Sequence, residues 1–178
     1  ISKLLKVKYT VAVSSCTAGL HIALQAVSKK SLNVITSPIS FVSTANSIIY
    51  NQEKPKFIDI DSNTLNINSH KLKDVINKNK KKINAIVPVH LGGLAKESKK
   101  IFEICKKNKI FVIEDAAHSF GGFYEDGSRI GSCKYSDMTV FSFHPVKTIT
   151  TGEGGIITTN SKKLYDKLIL LRNHGIQK

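Results

Sequence analysis

Apolar residues along the chain fall into short β-branched runs that alternate with longer segments whose apolar positions recur at helical spacing. Residues 11–14 read as a strand, and 17–30 as a helix with Leu20, Ala23, Leu24 and Val27 on one face. The order repeats with a strand over 33–36, a helix over 41–50 and a strand over 56–60 entered through Pro55. A helix over 69–79, in which Leu72, Val75 and Ile76 share a face, leads to a strand over 85–89. A helix over 96–107 and a strand over 110–113 complete this alternating half.

The pattern then changes. A Gly- and Asp-rich stretch, 121–131, precedes a strand over 138–143, a turn over 152–155 and a strand over 156–159. No helical segment separates the last two strands, so they are expected to pair antiparallel. A final helix starts near Ser161 and turns Leu164, Leu168 and Leu171 inward. Strands alternating with amphipathic helices predict a three-layer α/β/α fold, with a mixed, mostly parallel sheet covered on both faces.

A length of 178 residues suits one domain with its own core. No apolar run reaches the roughly 18 residues that a membrane span needs. The chain opens on Ile1-Ser2-Lys3 without Met or a signal-peptide layout, and it reads as a fragment. The net charge of +14 raises the question of nucleic acid, but the excess is scattered lysine, and Arg occurs only as Arg129 and Arg172. A solvated lysine surface is the expectation, with some attraction for anionic substrates. Cys16, Cys105 and Cys133 form an odd, widely spaced set, which argues against disulfides and for a reducing, cytoplasmic setting. The six histidines show no ligand spacing, and no metal site is expected.

Three segments carry candidate chemistry. Ser14-Ser15-Cys16-Thr17-Ala18-Gly19 follows the first strand and would set small residues at a helix start, as a phosphate cradle or as a plain N-cap at Thr17. Ile113-Glu114-Asp115-Ala116-Ala117-His118 ends a strand in an acid pair, which could cap a helix or hold a pyridine nitrogen in its protonated form. Phe141-Ser142-Phe143-His144-Pro145-Val146-Lys147-Thr148, ahead of Gly152-Glu153-Gly154-Gly155, puts a lysine in an apolar, glycine-bounded loop, where a desolvated amine would be a nucleophile.

Taken in order, SSCTAGLHIAL, TSPISFVSTANSIIY, PKFIDID, VIEDAAHSFGG and FSFHPVKTITTGEGG resemble the DegT/DnrJ/EryC1/StrS family of sugar aminotransferases, which have the type I fold of pyridoxal-phosphate enzymes. The resemblance implies pyridoxal 5'-phosphate as cofactor. It implies Lys147 as the catalytic lysine that carries the cofactor and Asp115 as partner of the ring nitrogen. Thr17 and Ala18 would hold the phosphate with Ser142, Phe41 would stack on the ring, and His118 would lie near the ring hydroxyl. Plain alternatives remain for Phe41, as core, and for Ser142, as a strand hydroxyl.

The implied reaction moves an amino group from an amino acid, in the family usually glutamate, to a nucleotide-linked 4-keto-6-deoxy sugar. PISFVSTAN with HPVKTITTGEGG resembles most the enzymes that aminate C4 of UDP-linked sugars on the way to pseudaminic acid. On this resemblance, residues 1–178 are the cofactor-binding large domain, without an N-terminal segment and a C-terminal small domain, of a protein expected to be a homodimer. The competing readings are a protein that kept the fold and lost catalysis, and a basic nucleic-acid-binding module.

Overall fold

The computed structural model describes residues 1–28, 33–79 and 82–176. In chain order the elements are α1 (Ser2–Leu5), β1 (Tyr9–Val13), α2 (Cys16–Val27), β2 (Asn33–Thr36), α3 (Val42–Tyr50), β3 (Lys54–Phe57) and α4 (Ser69–Asn79). Then follow β4 (Ile83–Val87), a single 3-10 turn at Leu91–Gly93, α5 (Ser98–Lys107), β5 (Phe111–Asp115), β6 (Met138–Ser142), β7 (Gly155–Thr159) and α6 (Lys162–Arg172).

The strands form one sheet in the order β1-β7-β6-β5-β4-β2-β3. From β3 through β2, β4 and β5 to β6 the neighbours are parallel, whereas β6 with β7 and β7 with β1 are antiparallel. The antiparallel β6–β7 pair agrees with the sequence expectation. The first strand does not continue the parallel half, because it lies at the far edge beside β7. Its partner residues are 142 to 150 positions away, with Val13 opposite Gly155 and Tyr9 opposite Thr159, and a local apolar pattern carries no trace of such a pairing.

Period-two alternation along the strands supplies two covered faces. Val34, Ala85, Val87, Ile113, Val140 and Ile157 pack under α2, α3 and α6 against Leu20, Leu24, Ile48, Leu164 and Leu168. The alternate residues Ile35, Ile86 and Val112 meet Leu72, Ile76, Ile101 and Cys105 of α4 and α5 on the other face. At the β6–β7 end of that second face no long helix is available. There Phe141, Phe143 and Ile156 are covered by Leu5, Val7, Tyr124 and Ile130.

Element boundaries depart from the sequence reading by up to two or three residues. The strand expected over 56–60 runs Lys54–Phe57, so Pro55 sits inside an edge strand, where its missing N–H costs no ladder bond on the open side. The helix expected from 96 begins at Ser98, and the end expected for the 17–30 helix falls partly outside the described residues. Among the described residues no helix is long and apolar enough to cross a membrane.

The sheet direction fixes where a ligand can sit. The parallel strands β2, β4, β5 and β6 all end on one side, and the Ser142–Gly155 and Val13–Gly155 pairs bring the start of β7 and the end of β1 to that same side. Loops after β1, β2, β4, β5 and β6 therefore converge there, at the carboxyl ends where open α/β sheets bind their ligands.

Candidate active site

A cavity of about 390 Å³ opens at this end of the sheet. Its wall includes Thr17 from the start of α2, Phe41 from the start of α3, Asp115 and His118 after β5, and Ser142 and Lys147 after β6. Ala18, the remaining residue named from the sequence, lies one position into α2 from Thr17, and its amide faces Ser15. Segments that are up to 130 positions apart in sequence are thus brought to one hollow.

Helix α2 is capped by Ser15 and not by Thr17. The Ser15 backbone is extended and its Oγ accepts from the Ala18 amide at 3.1 Å, while its carbonyl accepts from Gly19 N. Thr17 already lies inside the first turn. The amides of Cys16 and Thr17 precede any i−4 acceptor of their own helix, so the turn presents N–H donors toward the cavity. Two glycines allow this turn to sit so close to the sheet. A Cβ on Gly155 would stand 2.8 Å from the Phe141 carbonyl oxygen and 2.9 Å from Cys16 N, and one on Gly19 would stand 2.7 Å from a Val140 methyl.

Asp115 is the last residue of β5 and caps no helix, since a turn follows it. Its carboxylate is buried. Oδ2 accepts from the Thr44 hydroxyl at 2.7 Å, and Oδ1 accepts from the Ala117 amide at 3.3 Å with the Cys16 sulfur 4.0 Å away. Burial first, and the Asp115 charge second, push the Cys16 thiol well above its ordinary value, against the opposing pull of Lys147. Cys16 therefore stays a neutral thiol beside the acid.

Lys147 sits in a turn closed by its own amide donating to the His144 carbonyl at 3.0 Å. The side chain is half-buried, so the full desolvation expected for it is only partial. The reason is the loop's composition: Val146 is 78% exposed, and His144 and Glu153, whose Nε2 and Oε1 lie 3.7 Å apart, are exposed on the same rim. Ser142 is buried at the end of β6, and its Oγ accepts from the His144 amide at 3.4 Å. His118 stands at the exposed margin. Its imidazole is held below its ordinary value by lost hydration and then by Lys147, with Asp115 pulling the other way. Phe41 is 74% exposed at the head of α3, which rules out the reading of it as core.

The acid pair divides its work. Glu114 does not line the cavity; its Oε2 accepts from Tyr124 at 2.6 Å and from Thr139 at 2.7 Å, and its Oε1 faces Nε2 of His90, a residue of the cavity wall, at 3.4 Å. Burial by itself would raise the Glu114 carboxyl, but the attraction of His90 and the hydroxyl donors prevail and hold it below its ordinary range. The sequence reading named neither this network nor Thr44. The one local signal for Thr44 was its place three residues after Phe41, on the helical face that Phe41 begins.

The sequence profile of the DegT/DnrJ/EryC1/StrS aminotransferase family matches residues 1–178. A UDP-4-amino-4,6-dideoxy-N-acetyl-beta-L-altrosamine transaminase of Campylobacter jejuni is 42% identical over 172 residues, covering 97% of this chain and 45% of the relative. Among solved structures, Helicobacter pylori PseC, an aminotransferase involved in the biosynthesis of pseudoaminic acid, superposes with a TM-score of 0.89 at 34% identity, over 99% of this chain and 47% of that one. NtdA from Bacillus subtilis, with bound cofactor PMP, gives a TM-score of 0.84 at 31% identity, over 95% and 37% of the two chains. The chain thus spans less than half the length of the relatives it matches. The three-layer fold is that of the type I pyridoxal-phosphate enzymes. The residues present fit that cofactor: first-turn amides suit a phosphate, a buried carboxylate suits a ring nitrogen, and an amine shares the same cavity.

Proposed function

The chain belongs to the DegT/DnrJ/EryC1/StrS aminotransferase family, and on that premise we propose that it is the cofactor-binding large domain of a transaminase acting on a nucleotide-linked 4-keto-6-deoxy sugar. The observation that carries this reading is that Asp115 and Lys147, 32 positions apart, line one cavity together with the first turn of α2.

In this reading the pyridoxal-phosphate ring, when bound, supplies the electron sink for breaking a bond at the substrate's amine-bearing carbon. The chain's own residues do the rest. Asp115, buried in the cavity wall, would hold a proton at the ring nitrogen. Lys147 would carry the cofactor and, once free, would move a proton at the reacting carbon; its side chain is half-buried in the cavity wall. The amide of Thr17, the amide of Ala18, which donates to Ser15 Oγ, and the Ser142 hydroxyl would hold the phosphate. Phe41 covers the ring face, and His118 lies toward the ring hydroxyl.

The donor is an amino acid, glutamate in this proposal, and the acceptor is UDP-linked with the new amine at C4. The named transaminase from Campylobacter and the Helicobacter enzyme support that choice. A homodimer is part of the proposal too. Phe41, Val42, Val146 and Ile149 leave apolar surface beside the cavity mouth, which a second copy would cover.

The test is a panel of UDP-, dTDP- and GDP-linked 4-keto-6-deoxy sugars offered with glutamate and pyridoxal phosphate. Amination of the UDP sugar ahead of the others is expected. Preference for another nucleotide would overturn the acceptor assignment, and no visible absorbance with pyridoxal phosphate would overturn the function.

A further inference from the structure

We propose that Thr44 is a positioning residue that sets the strength with which Asp115 holds the ring nitrogen of the cofactor, an inference that rests on the function proposed above. The argument starts from where the hydroxyl goes. A Ser or Thr inside a helix ordinarily turns its hydroxyl back to the carbonyl one turn earlier. Ser47, in the same helix, does this, donating to the Ser43 carbonyl at 2.7 Å. Thr44 does not. Its Oγ1 donates at 2.7 Å to Asp115 Oδ2, 71 positions away, and the residue is 0% exposed.

That choice has a chemical consequence. Among the described contacts of the Asp115 carboxylate, the Thr44 hydroxyl is the short one. The Ala117 amide stands at 3.3 Å and the Cys16 sulfur, kept as a neutral thiol, at 4.0 Å. A hydrogen bond to a charged acceptor is shorter and stronger than one between neutral groups. Thr44 thus fixes the rotation of the carboxylate, and with it the direction in which the acid can meet a ring nitrogen. The same helix start carries Phe41 to the cavity wall three residues earlier, and Ser43 lines it as well. One short helix therefore sets both the ring face and the acid behind the ring.

The experiment measures cofactor affinity rather than turnover. Pyridoxal phosphate is compared with its 1-deaza analogue, in which carbon replaces the ring nitrogen, on wild-type protein, Thr44→Val and Thr44→Ser. If Thr44 acts through Asp115 on the nitrogen, Thr44→Val weakens binding of pyridoxal phosphate about ten-fold, the scale of one hydrogen bond to a charged group. The deaza analogue should be unaffected, and Thr44→Ser should keep the wild-type preference. Equal weakening toward both compounds would mark Thr44 as a packing residue only and overturn the inference, as would no weakening toward either. If Thr44→Val does not fold, Thr44→Ser decides: losing the preference for the nitrogen-bearing ring while keeping its hydroxyl overturns the inference, and keeping it supports the hydroxyl's role. Wild-type protein that binds neither compound removes the underlying function, a result separable from failure at Thr44 alone.

Discussion

Glu114 and Asp115 are adjacent on β5, and period-two alternation sends them to opposite sides. On one side, Glu114 is 1% exposed, accepts from Tyr124 and Thr139 and faces His90, and does not itself line the cavity. On the other side, Asp115 is held by Thr44 and the Ala117 amide but also lines an open cavity. The first carboxylate ties the 116–135 segment to the sheet; the second is fastened and still leaves a face for a ligand. Two acids of the same strand end thus separate stability from chemistry, and substitutions can pull the two apart.

The largest expected effect is on the cavity side. Lys147→Ala should remove the visible absorbance of bound cofactor and lower turnover by on the order of 10²–10⁴-fold or more, the range for loss of a positioned proton-transfer group. Thermal unfolding without cofactor should hardly move, because the lysine is half-exposed and its side chain packs no core. Absorbance and calorimetry on the same preparations check both halves of that statement. A large fall in melting temperature would mean that Lys147 is structural.

Glu114→Gln should behave in the opposite sense. It puts a neutral amide where a buried carboxylate accepts from Tyr124 and Thr139 and faces His90 Nε2 at 3.4 Å, and losing hydrogen bonds to a buried charged group costs about 1–3 kcal/mol. Cofactor affinity of the folded fraction should change little. The pH dependence sharpens the contrast. The Glu114 carboxyl is lowered in the folded state, so its contribution is present above the ordinary glutamate value, near about 4.3. It is lost as pH falls from there through the lower folded value, because the unfolded chain takes up the proton first. Urea unfolding between pH 3 and 6, by design, should show wild-type stability rising with pH and a shallower rise in Glu114→Gln. Parallel curves would sink the assignment.

The two sides also differ in how much of them the sequence discloses. Asp115 and Lys147, which share the cavity wall, stood out as candidates because each sits in a local pattern, an apolar strand running into acids and a lysine following a strand in a glycine-bounded turn, and the family resemblance implied their roles. The α/β/α layering and the β6–β7 pair were legible for the same reason, since strand spacing and a missing helix are local facts. Thr44 was not, because its partner lies 71 positions off and only the packing of α3 on the sheet brings them together. The Glu114 network hides likewise: Tyr124 sits in a Gly- and Asp-rich stretch that reads as a polar loop, yet it is 4% exposed. The cap of α2 was misplaced by two residues for a subtler reason. Ser14, Ser15 and Thr17 are all competent caps, and the end of β1 opposite Gly155 decides which has the extended backbone.

A smaller effect links the sheet to the cavity. Gly155→Ala forces a methyl group to within 3 Å of the Phe141 carbonyl and of backbone atoms of Ser15 and Cys16. Backbone cannot yield as a side chain can, so the change should cost about 1–3 kcal/mol, as overpacking does. The start of α2 must shift to relieve it, which should weaken phosphate binding as well. Denaturant midpoints and cofactor affinity should therefore fall together, unlike the divided outcomes at Lys147 and Glu114. A loss of stability with affinity intact would show that the first turn of α2 is not the cradle.

The smallest effect tests whether a ligand can stand in for a side chain. Ser15→Ala removes the oxygen that accepts from the Ala18 amide, and losing an N-cap of this kind costs about 1 kcal/mol. In the cofactor-free protein that cost should appear in full, since the amides of the first turn are left to water. With pyridoxal phosphate bound, the phosphate oxygens supply acceptors and negative charge at the same helix end, where they are favoured by the orientation of the peptide dipoles. The difference in stability between wild type and Ser15→Ala should then shrink or vanish on cofactor addition. A difference that persists unchanged would mean that the phosphate lies elsewhere in the cavity and that Ala18 serves only its cap.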